Sequence, residues 1–314
     1  MKKLILIIVF ALYSNSMNAQ FSIIQDGDGE TSLQLMKAST VAINAATTSI
    51  GFSVSPDNTD KIKWAIHSTA NAKDGLAKLF EGGKFLLSGK SGATVIYDMS
   101  KYGTRDDPRI GNLVYQFLGG ELLYSRFEVI DSTKTFDNQI SEQANRGFRI
   151  NYGWNFLNVE STKTILNVLG PFSAGLSVSL GNKDNTDIID PVEVITSSRS
   201  YSNGAITRTI SSTSDAYESN AIAKNLFFSR FNFDFGKHLP GNRLFANIHL
   251  TYATDEGLKP VLNPSFGFFV MKNGAPLEAI VGIQLQTSDW SNNRNSEKGR
   301  WERTSLVLTA GFPF

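Results

Sequence analysis

The sequence contains no cysteine. That excludes a disulfide framework, thiolate metal ligation and a cysteine nucleophile. It also lacks a charge of either sign in excess, since 30 Lys and Arg stand against 29 Asp and Glu. A protein that holds nucleic acid electrostatically needs a basic surplus to displace counterions from phosphate, so no nucleic-acid partner is expected. With only three histidines, a site built from clustered imidazoles has little to draw on. Beyond the first residues no apolar run approaches the roughly 20 residues that a spanning helix requires. Passage through a membrane would have to be made by strands.

What is abundant is aromatic and small: 22 Phe, 9 Tyr, 4 Trp and 26 Gly among 314 residues. This composition is too apolar for a wholly disordered chain, and the length suits one large all-β domain or two ordinary ones. Lys2 and Lys3, the apolar stretch from Leu4 to Leu12 and the small residue Ala19 read as a signal peptide over 1–19. Its removal takes two lysines and no acid, leaving residues 20–314 as a single domain with a formal charge of −1.

From residue 20 onward the hydrophobic period is two, the period of strands, and not 3.6. Phe148, Ile150, Tyr152, Trp154 and Phe156 alternate with Arg149, Asn151, Gly153 and Asn155. Leu244, Ala246, Ile248, Leu250 and Tyr252 alternate with Arg243, Asn247 and His249, and similar runs recur around Leu176, Phe231, Phe266 and Val281. These runs exceed the five or six residues usual for a soluble sandwich. The connections at Gly236–Asn242 and Asn273–Pro276 are tight, whereas 182–220 and 288–301 are long and rich in Asn, Ser and Thr. Sorting of loops by parity is a property of transmembrane barrels, whose long loops face outward.

Over the last residues, Thr304, Leu306, Leu308, Ala310, Phe312 and Phe314 alternate with Arg303, Ser305, Thr309 and Gly311. With the signal peptide, this tail resembles the closing strand of Gram-negative outer-membrane β-barrel proteins. The resemblance implies a cell outer-membrane location, lipid as surroundings, and an assembly signal at Phe312 and Phe314 read by the barrel-assembly machinery. The fold expected is therefore an all-β, antiparallel, up-and-down transmembrane β-barrel of about twelve strands, within a range of ten to fourteen. Counting back from the tail places strands at 302–313, 277–289, 260–272, 243–253, 222–235, 165–181, 146–157 and 119–131. Upstream strands fall at 93–101, 61–68, 47–55 and 32–43, with a short helix at 73–83. Within the long loop, 192–196 and 205–210 should pair as a hairpin.

Several motif-like fragments fail on spacing. Gly89-Lys90-Ser91 ends like a phosphate-binding loop, but Lys84 stands where its first glycine belongs. Asp26, Asp28 and Glu30 lack the rest of a calcium loop, and Asp184, Asp187 and Asp190 read as solvated loop residues. No cofactor and no metal site is expected.

The polar face of the strands supplies the candidate site: Arg126, Glu128, Arg149, Arg230, Asp234, His249, Glu278, Gln284 and Arg303 are expected to line the lumen. Their mixed signs either pair across it and stiffen the barrel or border a hydrated, partly plugged path for small polar solutes. The expected function is thus a passive channel or a structural surface protein, not an enzyme. A barrel lipid hydrolase using His249 and Thr251, which share a face, is the alternative, and a soluble secreted β-protein is a third.

Overall fold

The computed structural model describes residues 40–44, 49–54, 61–71, 88–99, 112–158, 172–186, 191–203, 206–239, 243–272, 275–294 and 299–313, with 170, 188 and 189. The signal-peptide segment, the helix expected at 73–83 and Phe314 lie outside these residues. Fourteen strands account for nearly all of what is described: β1 Thr40–Asn44, β2 Ser49–Val54, β3 Ile62–Asn71, β4 Ser88–Asp98, β5 Asn112–Ile130, β6 Ile140–Asn158 and β7 Phe172–Lys183. They continue with β8 Val192–Asn203, β9 Ile206–Glu218, β10 Leu226–His238, β11 Leu244–Asp255, β12 Val261–Lys272, β13 Ala275–Thr287 and β14 Thr304–Pro313. Among the described residues no helix is long and apolar enough to cross a membrane.

All fourteen belong to one sheet. Each of β1 to β7 pairs antiparallel with the next, β7 pairs with β10, and β10 to β14 again pair in sequence order. The last partner is the first strand: Thr40 to Asn44 of β1 lie opposite Pro313 to Thr309 of β14. Twelve strands thus form a circuit of pairings that returns on itself, which satisfies every strand on both edges and removes the exposed edge that an open sheet would carry. The expected count of twelve and most strand positions agree with this architecture. Of the strands read at 165–181 and 32–43, the described parts are β7 from Phe172 and β1 from Thr40, and residues 165–169, 171 and 32–39 lie outside the described residues.

The remaining two strands form the hairpin expected inside the long loop, with Val192 opposite Ala216 and Asn203 opposite Ile206. It attaches through β9, whose Ala216 to Glu218 run parallel to Glu128 to Ile130 of β5. The reason for the attachment is apolar. Phe127 and Val129 of β5 bury against Tyr217 of β9, with the Phe127 and Tyr217 rings edge to face at 5.8 Å and Ile189 and Ile222 alongside. Strands β5 and β6 have 19 residues each, longer than their neighbours, and their extra length carries this contact.

Two ends can be distinguished. The tight β10–β11 and β12–β13 connections mark the turn end, and the hairpin β8–β9 marks the other. Sorting of loops by length is incomplete, because the connections from Asp98 to Asn112 and from Asn158 to Phe172 sit at the turn end and are as long as many opposite them.

Burial is inverted with respect to a soluble sheet. Along β6, Phe148, Ile150, Tyr152 and Trp154 are 43–51% exposed while Arg149 and Asn155 are buried. Along β11, Ile248 and Tyr252 are exposed while Asn247, His249 and Thr251 are buried. Every strand of β3–β7 and β10–β14 presents large apolar residues outward, so the outer wall of these strands carries an apolar belt. Soluble monomers rarely expose contiguous apolar patches beyond a few hundred Å².

Candidate functional site

Alternation assigns the inner face, and three levels follow along it. At the turn end the interior is aromatic: Phe117, Phe245 and Phe269 are buried, with Phe245 4.9 Å from the His238 ring and 6.4 Å from Phe269. Glycines make room for these rings. A Cβ on Gly153 would strike the Phe117 ring and the Leu176 carbonyl, and one on Gly236 would strike the Phe245 ring.

The middle level holds two polar networks. In the first, Glu121 of β5 accepts from Arg149 Nε at 2.9 Å and Nη2 at 2.5 Å, from Asn151 Nδ2 at 3.2 Å, and lies 3.0 Å from His67 Nε2. The Glu121 and Arg149 side chains are each only 6% exposed, so the pair is desolvated and its strength depends on this full set of partners. In the second, Asn247 Nδ2 donates to Asp234 Oδ1 at 2.9 Å, and His249 Nδ1 lies 2.9 Å from Asp234 Oδ2, at ion-pair distance but off hydrogen-bond alignment. The chain continues from His249 Nε2 to Thr251 Oγ1 at 2.8 Å, from Thr251 Oγ1 to Asn232 Oδ1 at 2.7 Å, and from Asn232 Nδ2 to Ser177 Oγ at 3.3 Å.

The direction of these bonds decides what His249 and Thr251 can do. Thr251 gives its one hydroxyl proton to Asn232, so Nε2 of His249 must donate to Thr251. A general base that activates a nucleophile needs the reverse polarity, with the hydroxyl donating to the ring. Asp234, His249 and Thr251 are also 0–2% exposed, beyond the reach of a lipid ester. The arrangement holds strands β7, β10 and β11 together.

At the hairpin end Asp255 gathers three cations: Arg230 at 2.8 Å, Arg294 at 2.6 Å and Lys183 at 3.5 Å. Inward-facing Phe228 lies beneath, 5.1 Å from the Arg230 guanidinium and 5.6 Å from Lys183 Nζ. Asp184 accepts from Ser125 and Thr186 and is buried, which makes it a loop-forming residue. Among the described residues no group of three or more His, Asp or Glu is placed to hold a metal.

Of the residues expected in the lumen, Arg149, Arg230, Asp234, His249 and Gln284 face inward, Gln284 donating to Ser265. Arg303 stands at the hairpin-end rim and donates to the Ser288 and Asp289 carbonyls. Arg126 and Glu128 do not face inward. They share the outward side of β5 with Leu118, Leu122 and Tyr124, and Arg126 pairs with Glu142 on the neighbouring strand. The cause is the length of β5: on its extension the apolar Phe127 and Val129 take the inward side and pack against the hairpin, while the polar Arg126 and Glu128 take the outward side, so polarity no longer reports the lumen. The side chains of Glu278 and Phe312 lie outside the described residues, although the Phe312 backbone pairs with Val41.

Glu121, His67 and Asp255 were not read as inner residues from sequence. Each has the parity of its lumen-facing neighbours, and the signal for Glu121 was its position between outward Leu118 and Leu122. The inner aromatics Phe117, Phe245 and Phe269 carried no such signal, because an apolar residue on either face reads alike. No protein-family model and no curated protein matches the chain.

Proposed function

We propose that this protein is an integral outer-membrane β-barrel whose interior is filled by cross-linked side chains, and that it serves as a rigid membrane scaffold presenting the β8–β9 hairpin outside the cell. The observation that carries the reading is the inversion of burial. Leu176, Ile248, Val281 and Leu306 meet the outside while Asp234 (0%), Asn232 (1%) and Gln284 (2%) are packed within. Only a medium that cannot hydrogen-bond favours that arrangement, and in such a medium a sheet must close upon itself to satisfy its backbone.

Twelve strands stand between barrels that side chains fill and barrels that keep an aqueous channel. Two features favour the filled state here. The aromatic level at the turn end stacks rings against glycines, and Glu121 with Arg149 ties β5 to β6 within the wall's inner face. The hairpin, with Ile195, Tyr201 and Ile210 exposed at 57–61%, is the element available to a surface partner.

The test combines fractionation with electrophysiology. The protein should sediment with outer membranes, run faster on gels before heating than after, and give no sustained unitary conductance in planar bilayers. Stable channel steps from the parent protein would replace the filled scaffold by a solute passage. Recovery in the soluble fraction would remove the membrane reading altogether.

A further inference from the structure

The loop between β13 and β14 overhangs the apolar wall and encloses a groove of about 700 Å³ on its outer side. The floor is Ile248, Phe266 and Leu285, which belong to the outward belt on three successive strands. The roof is Trp290, Arg300 and Trp301. One cavity therefore joins an apolar surface continuous with the belt to a cationic and aromatic rim.

The rim is built to stay in place. Trp290 N donates to the Leu262 carbonyl, which pins the loop over β12. Asp289 accepts from the amides of Asn293 and Arg294, and its own amide donates to Asn263. The Arg300 guanidinium stacks over the Trp290 ring, 4.3 Å from the ring centre. A stacked guanidinium keeps its in-plane N–H donors directed sideways, where planar recognition of a phosphate or carboxylate is favoured. Trp301 is 86% exposed, more than any other large apolar residue among those described. A tryptophan so placed is unfavourable in water and favourable at the junction of hydrocarbon and headgroups, where its ring and N–H meet different surroundings.

We propose that this groove binds an anionic phospholipid or phosphorylated glycolipid from the surrounding membrane leaflet, with acyl chain along Ile248, Phe266 and Leu285 and phosphate on Arg300 beside Trp301. The proposal rests on the membrane reading given above. The occupant is a membrane amphiphile and not a free anion, because the groove's apolar floor has no use for inorganic phosphate. It is an anionic amphiphile because the groove is lined by two arginines, Arg300 and Arg303, and, among the described residues, by no carboxylate.

The experiment uses the folded full-length protein in detergent with Trp64 and Trp154 replaced by Phe, so that Trp290 and Trp301 alone report. Dihexanoyl phosphatidylglycerol, dihexanoyl phosphatidylcholine and inorganic phosphate are titrated separately, and tryptophan emission is followed. The expected result is a saturable blue shift with phosphatidylglycerol, half-saturation at least 10-fold higher with phosphatidylcholine, and no response to phosphate. Arg300→Ala should raise half-saturation by phosphatidylglycerol about 10-fold, and Arg126→Ala, on the far wall, should leave it unchanged. Each variant is first shown to be heat-modifiable, so that loss of binding is separated from loss of fold. Equal responses to the two lipids, or competition by inorganic phosphate, would overturn the assignment while leaving the barrel intact. A protein that fails to partition into membranes at all would instead remove the reading on which the assignment rests.

Discussion

Placing arginine at Ile248 separates a wall that faces lipid from one that faces water. Ile248 is 45% exposed near the middle of β11, between Asn247 and His249, which are 1% and 2% exposed. If the outer medium is water, the substitution is an ordinary surface change worth within about 0.5 kcal/mol of zero. If it is hydrocarbon, arginine at mid-depth costs about 2 to 4 kcal/mol, equivalent to about 30-fold to 700-fold in the folding equilibrium. The strand itself supplies a depth control. Tyr252 lies four residues nearer the hairpin end on the same face, about 13 Å along the strand at roughly 3.3 Å per residue. At a tilt of about 45° that is about 9 Å of depth, close to the edge of a band about 25 Å tall. Arginine at Tyr252 should therefore cost no more than about 1 kcal/mol from charge burial. The measurement is reversible urea unfolding from phosphatidylcholine vesicles for parent, Ile248→Arg and Tyr252→Arg. Equal small penalties at the two positions would refute the lipid-facing wall, and equal large ones would show that the wall is buried in protein.

Three further outcomes follow from the interior and the hairpin. Arg149→Met should destabilise the fold by about 3 to 5 kcal/mol, because it leaves Glu121 buried with an uncompensated charge, whereas Glu121→Leu combined with Arg149→Leu should recover most of that loss in the same urea assay. Gly236→Val should cost about 1 to 3 kcal/mol through collision with the Phe245 ring, and adding Phe245→Ala should return part of it, a coupling read from a double-mutant cycle. Protease added to whole cells should cut between Asn203 and Ile206, at the hairpin tip, and spare the β10–β11 connection; cutting at the hairpin tip only after cell lysis would reverse the assignment of the two ends.

Strand positions were legible because alternation is a property of the whole wall. Outward residues are apolar and inward ones largely polar, and the pattern repeats on strands β3–β7 and β10–β14. The rule fails at both margins. Above the belt, on the extension of β5, the inward Phe127 and Val129 are apolar and the outward Arg126 and Glu128 polar, so polarity assigns the latter two to the wrong side. At the turn end the interior itself is aromatic, so Phe117, Phe245 and Phe269 resemble outward residues. Glu121 and Arg149 lie opposite each other on consecutive strands, but His67 joins them from β3, and no local pattern encodes that third partner. Likewise the groove under Trp290 and Trp301 depends on where a loop folds back over β12, a tertiary fact that composition conceals.

Closure of the circuit depends on the five residues of β1 against β14, a contact as short as that of β1 with β2, and it is the one pairing that joins the two ends of the described chain. A covalent staple tests it cleanly because the parent has no cysteine. Ala42 lies opposite Gly311, and Ile43 opposite Ala310. Opposed residues of an antiparallel pair alternate between Cα separations of about 5.5 Å and about 4.5 Å, both within the range a disulfide spans. Two adjacent pairs therefore sample both geometries. The offset pair Ala42 with Ala310 puts its Cβ atoms on opposite faces of the wall, since a shift of one residue reverses the side. The expected result, in an oxidising compartment, is that Ala42→Cys with Gly311→Cys or Ile43→Cys with Ala310→Cys forms an intramolecular disulfide, while Ala42→Cys with Ala310→Cys does not. The readout is gel mobility after heating, with and without reductant, since a staple between residues so far apart in sequence keeps the denatured chain looped and compact. Deleting residues 304–313 should abolish the heat-modifiable form, because β1 and β13 would each be left with an open edge, which a hydrocarbon medium would leave unsatisfied. If neither matched pair crosslinks in heat-modifiable protein, β1 and β14 are not neighbours in this register and the sheet closes elsewhere. If the offset pair crosslinks as well as the matched ones, the seam is loose, and the rigidity ascribed to the scaffold is lost at the place where the fold is completed.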